Sequence, residues 1–140
     1  MEEEFSIDFL VRKLEKYPEI SFVRNDWEIT IYPNNKDGFI VYLQLDEREH
    51  SLHFGTFHWH FDNSEHDWEE LFQELVFGLT GLTRIKEYSK NGEAYKWTRE
   101  IQDEAGNWHS NGTMSTLNLS FWTTPEIKYY KNEFPKELFL

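Results

Sequence analysis

The chain has 140 residues, no cysteine and a formal net charge of −12, with 26 Asp and Glu against 14 Lys and Arg. That length suits one globular domain, residues 1–140, with a core large enough to hold without staples. The lack of cysteine excludes disulfide frameworks, thiol nucleophiles and Cys-ligated zinc or iron–sulfur clusters, and 12 Phe, 7 Tyr and 6 Trp argue against disorder.

The opening Met1-Glu2-Glu3-Glu4 is the reverse of a signal peptide's basic start. No apolar run approaches the roughly 18 residues of a membrane span, so a cytoplasmic location is expected. Ser6 caps a first predicted helix with Asp8 in its first turn, and Phe9, Leu10, Leu14 and Tyr17 recur at helical spacing until Pro18. Trp27–Tyr32 alternates as a strand, a turn follows through Asn34, Asn35 and Gly38, and Phe39–Leu45 answers it as a hairpin. The charged stretch Asp46–His50 then turns the chain into a third strand, Leu52–Phe61, completing a meander. Asp62, Asn63 and Ser64 offer caps for a second helix whose apolar stripe is Trp68, Leu71, Phe72, Leu75 and Leu79, ending near Gly78 and Gly81.

After this helix the period returns to two. Leu82–Ser89 and Ala94–Gln102 read as a second hairpin across Lys90-Asn91-Gly92. Gly106 and Gly112 punctuate a loop around Trp108, Met114–Thr123 alternates as another strand, and Ile127–Lys131 is a weaker one. The expected fold is α+β, with order α-β-β-β-α-β-β-β(-β): a single antiparallel sheet of about six to seven strands with two helices packed on it.

The charge is unevenly placed. Residues 51–80 carry six acids (Asp62, Glu65, Asp67, Glu69, Glu70 and Glu74) and no Lys or Arg. Such a field repels nucleic-acid backbones and anionic membrane surfaces, so neither is an expected partner. It favours a basic protein or a cation drawn in by long-range steering. The acidic helix face of Glu69, Glu70, Gln73 and Glu74 is the expected docking surface, with Trp108 as an aromatic anchor in its Gly/Asn-rich loop. A homodimer through the same face is left open.

His58-Trp59-His60-Phe61-Asp62 is the one cluster with the look of chemistry. Alternate strand residues share a face, so His58, His60 and Asp62 form a candidate ligand set for a divalent metal such as zinc. His66, four residues before Glu70 on the helix, can come near across the strand-to-helix turn, and His53, of opposite parity, is a worse candidate. The pattern His-x-His-x-Asp is similar to part of the metal motif of metallo-β-lactamase-fold hydrolases. The residue after the Asp is Asn63 where that family has His, and the chain is too short for that fold. That family's activity is not carried over; a metal-binding protein or metal-dependent hydrolase using His58, His60 and Asp62 is the alternative reading. There is no Gly-x-Ser-x-Gly elbow, phosphate-binding loop, dinucleotide fingerprint or His-Glu-x-x-His helix, so no enzyme class and no organic cofactor is supported.

In size, acidity and organisation the chain resembles bacterial toxin-immunity proteins, which neutralise basic toxins by occluding them. That resemblance implies a non-enzymatic binder of a cationic protein, met by the acidic helix and nearby aromatics. The element order also looks like that of type III secretion chaperones, which end in a helix where this chain continues in strand-like sequence.

Overall fold

Helix α1 (Ile7–Leu14) begins where Ser6 Oγ accepts the Phe9 N–H at 3.1 Å, and it buries Ile7, Leu10, Val11 and Leu14 as one stripe. The computed structural model describes residues 5–139, so Met1-Glu2-Glu3-Glu4 lies outside the described residues. Five strands follow: β1 (Ser21–Arg24), β2 (Glu28–Tyr32), β3 (Val41–Gln44), β4 (Glu49–Phe54) and β5 (Phe57–Asp62). They pair with their sequence neighbours into an antiparallel meander, β1-β2-β3-β4-β5. Its inner face is the alternating apolar set Ile29, Ile31, Val41, Leu43, Leu52, Phe54, Phe57 and Phe61, all buried.

Helix α2 (Glu65–Thr80) starts with the Ser64 side chain accepting the Asp67 N–H, carries Glu65 and Asp67 at its positive end, and stops at Gly81. It packs Leu71, Leu75 and Leu79 into the same core. Gly78 permits the closest approach to β4, because a Cβ there would lie 2.1 Å from Phe54 Cζ. The chain then builds a second antiparallel sheet, ordered β8-β7-β6-β9, from β6 (Thr83–Lys90), β7 (Glu93–Gln102), β8 (Trp108–Ser115) and β9 (Glu126–Tyr130). A final 3-10 turn, Lys136–Phe139, buries Leu138. Ile85 and Trp97 of the second sheet join the first sheet and both helices in one apolar cluster. Among the described residues, no helix is long and apolar enough to cross a membrane.

The α+β class and the antiparallel pairing match expectation, but the single sheet of about six to seven strands does not. There are nine strands in two sheets of five and four among the described residues. Two local causes account for the first sheet. β1 is only four residues long, too short for alternation to register. The expected strand Leu52–Phe61 is in fact a tight hairpin: Gly55 takes φ +60° and with Thr56 forms a two-residue, Gly-first loop closed by Phe54 opposite Phe57. In the second sheet, the expected strand Met114–Thr123 ends at Ser115, and residues 116–125 form an open loop. Alternation specifies a hairpin's own pairing and says nothing about which sheet the hairpin joins.

Candidate functional site

The acidic side of α2 is open. Glu69, Glu70 and Gln73 are exposed beside a groove of about 710 Å³ whose apolar contribution comes from Phe72, Val76 and Phe77. Phe72 is held there by edge-on contacts with Phe5, Phe9 and Phe139, at centroid distances of 5.2, 6.0 and 5.4 Å. Carboxylates over an aromatic floor are suited to a Lys or Arg stem, which buries its methylenes and keeps its charge at the rim.

Glu74 lines the same groove but is not free: its side chain is 8% exposed and accepts from Arg99 Nη1 of β7. Arg99 also donates through Nε to the Asn111 carbonyl at 2.8 Å, and its guanidinium lies 4.4 Å from the Trp59 ring centroid. Burial pushes the Glu74 carboxyl up and the Arg99 guanidinium down, and each partner opposes the other's shift. Glu74 therefore clamps α2 to the second sheet and is not offered to a partner. Helical spacing groups it with Glu70, and both line the groove, but the Glu74 carboxylate is already committed to Arg99.

His53, His58 and His60 lie on the outward face of the first sheet. Because the chain folds back at Gly55-Thr56, His53 stands directly across from His58, and Ser51 stands across from His60. The rings of His53 and His58 are stacked at 4.9 Å and 17°, and His58 and His60 are 5.9 Å apart. His58 Nδ1 donates to the Thr56 carbonyl at 3.1 Å, and His60 Nδ1 lies 2.9 Å from Glu49 Oε1 and 3.0 Å from Ser51 Oγ. His53 is thus the neighbour that parity within one long strand had ranked lower. A glycine in mid-strand followed by a small polar residue was the available signal. Burial first, then His58 and His60, lowers the basicity of His53.

Asp62 is exposed at the far end of β5, opposite Glu49, and its own N–H donates to Asp67 Oδ2 at 2.7 Å. Among the described residues, His66, Asp67 and Glu70 are the trio whose ligand atoms all lie within 4.8 Å of one another; His58, His60 and Asp62 do not meet that distance.

Trp108 is half-buried at the start of β8, with the Arg84 guanidinium 4.1 Å from its ring and equally close to Tyr129. It is covered by a cation–π stack and does not stand free as an anchor. Around it, on the outward face of the second sheet, Arg84 is paired with Glu100 at 2.7 Å and two lysines stand over aromatic rings. Lys86 lies over Tyr88 at 5.0 Å, and Lys96 over the same ring at 4.7 Å. Exposed aromatics lie elsewhere: Trp27 is 64% exposed, and in the loop after β8 Trp122 is 82% exposed and Phe121 77%, beside Leu117 and Leu119, apolar groups of the kind that mark contact surfaces. Alternation had placed these residues on a strand. Comparison with family models, with curated proteins and with solved structures finds no match.

Proposed function

We propose that this chain is a non-enzymatic binding protein that occludes or chaperones a basic protein partner, in the manner of an immunity protein. The observation that carries the proposal is the α2 groove. Exposed Glu69 and Glu70 border an aromatic floor, within a 30-residue stretch that holds six acids and no Lys or Arg. Long-range attraction to this stretch sets the association rate, while burial of apolar stems against Phe72, Val76 and Phe77 sets the dissociation rate. Glu69 and Glu70 act as rim charges, and Glu74 holds the helix in place beside them.

The test compares two charge reversals of equal size. A partner captured by the native protein is purified, and its association rate is measured against salt. Glu69→Lys with Glu70→Lys is expected to slow association at least tenfold and flatten its salt dependence. Lys86→Glu with Lys96→Glu on the second sheet is expected to leave the partner bound. Retention by the first pair and loss by the second would overturn the assignment of the α2 face.

A further inference from the structure

The fold brings three imidazoles together on two neighbouring strands, with no part in the α2 groove. His58 and His60 alternate on β5, and the Gly55-Thr56 turn sets His53 of β4 opposite His58. We propose that His53, His58 and His60 form a surface site for a divalent transition metal of the zinc class, with an open coordination position toward solvent.

Three features support the site independently of the helix. The first is spacing. Two imidazoles on one tetrahedral zinc, each with a Zn–N bond of about 2.0–2.1 Å, place their ring centres about 5 Å apart. The centroid separations of 4.9 Å for His53 and His58 and 5.9 Å for His58 and His60 put the rings within that reach, but the His53 and His58 planes are near parallel at 17°, so their in-plane lone pairs converge only once one ring turns.

The second is tautomer control. A carbonyl oxygen and a carboxylate only accept, so Thr56 O and Glu49 Oε1 fix the proton of His58 and His60 on Nδ1. Each Nε2 is then left with its lone pair, the outer-partner arrangement that metal-binding histidines use. Glu49 on a ligand's far nitrogen also supplies negative charge close to the cation.

The third is freedom to close. The three rings do not yet bring donor atoms within 4.8 Å of one another. His53 is held by ring contacts with Tyr42 at 5.2 Å and with His58, and it makes no hydrogen bond within the described structure. Imidazole χ2 wells are broad, so turning the His53 ring toward the other two meets little torsional resistance. A site that must close in this way binds in the micromolar range and not as a structural zinc does. Three imidazoles favour zinc or nickel over magnesium or calcium, which take oxygen ligands. Zinc held by three His ligands would keep a fourth position for water.

The experiment is calorimetric titration of the tag-free full chain with zinc chloride at about pH 7.5, with magnesium chloride as control, alongside the imidazole proton signals by NMR. About one zinc per chain is expected, with shifts at His53, His58 and His60 and no response to magnesium. His53→Gln, His58→Ala and His60→Ala are each expected to weaken binding at least tenfold, while Asp62→Asn and His66→Gln leave it unchanged. All five positions are half-buried or exposed, and an unchanged circular dichroism spectrum and Tm verify that each variant folds. No zinc uptake at about 100 μM metal would overturn the proposal. So would zinc binding that survives His53→Gln and is lost in His66→Gln, since that assigns the metal to His66, Asp67 and Glu70 at the start of α2.

Discussion

Changing Glu74 to Gln keeps the side chain's shape and removes its charge, leaving the Arg99 guanidinium buried without a counter-ion. The two side chains are only 8% and 11% exposed, so water cannot replace the missing carboxylate. Removing one member of such a pair costs about 3–5 kcal/mol, most of it the desolvation of the charge left behind. Arg99 retains its bond to the Asn111 carbonyl and its contact with Trp59, which points to the lower end, about 3 kcal/mol. At about 2.1 cal/mol/K per residue, 140 residues unfold with an entropy of about 0.3 kcal/mol/K, so Tm should fall by about 10 °C. Replacing both partners, Glu74→Leu with Arg99→Met, removes the buried charges together and should recover most of that loss. Thermal unfolding followed by circular dichroism tests both. A fall below about 3 °C in Glu74→Gln, or a double variant no better than the single one, would refute the clamp between α2 and the second sheet.

His50 is buried against Trp68 at 4.3 Å, its Nδ1 accepts the Asp46 N–H, and burial lowers its pKa from the usual 6.5. The unfolded chain therefore takes up the proton first. The stabilisation is complete above about pH 6.5 and is lost as pH falls through the lower folded value. Urea unfolding between about pH 4 and 8 should show this slope, and His50→Gln should flatten it. Gly78→Ala places a methyl group against Phe54 and should cost about 1–3 kcal/mol despite alanine's better helix propensity, with Phe54→Leu relieving it; denaturant midpoints decide. Phe121→Ser with Trp122→Ser changes only exposed rings and should leave stability within about 0.5 kcal/mol while lowering concentration-dependent self-association in sedimentation velocity; a large loss of Tm would mean the loop is packed.

The elements that periodicity could read are those with long, one-sided patterns. Helix α2 falls where its apolar stripe places it, α1 begins at its Ser6 cap but ends at Leu14, short of Tyr17, and β6, β7 and β9 lie within a residue or two of expectation. What escaped the sequence is of a different kind. A two-residue turn at Gly55-Thr56 hides inside an apolar run, because Phe54 and Phe57 on either side continue the appearance of one strand. Reading through that turn reversed the parity of everything before it, which is why His53 was separated from His58 and Asp62 was preferred. Glu74 shows the complementary limit. Its place on α2 is plain from spacing, but its partner Arg99 lies 25 residues on, in another sheet, and no local pattern encodes that distance.

The surface that results is polar in the electrostatic sense, and this bears on how partner charge should be tested. The six acids between residues 51 and 80 have no Lys or Arg among them, while Arg84, Lys86 and Lys96 stand among aromatic rings on the outward face of the second sheet. Reversing Glu69 and Glu70 moves the net charge from −12 to −8, and reversing Lys86 and Lys96 moves it from −12 to −16. If net charge alone governed encounter with a basic partner, the two variants would shift the association rate by similar factors in opposite directions. If the α2 face is the landing site, the first variant loses rate and affinity together, and the second gains a modest rate with its dissociation unchanged, because Lys86 and Lys96 touch nothing that the partner buries. The asymmetry between the two variants, and not the sign of either one, is what separates a located docking face from acidity that only keeps an aromatic-rich chain in solution.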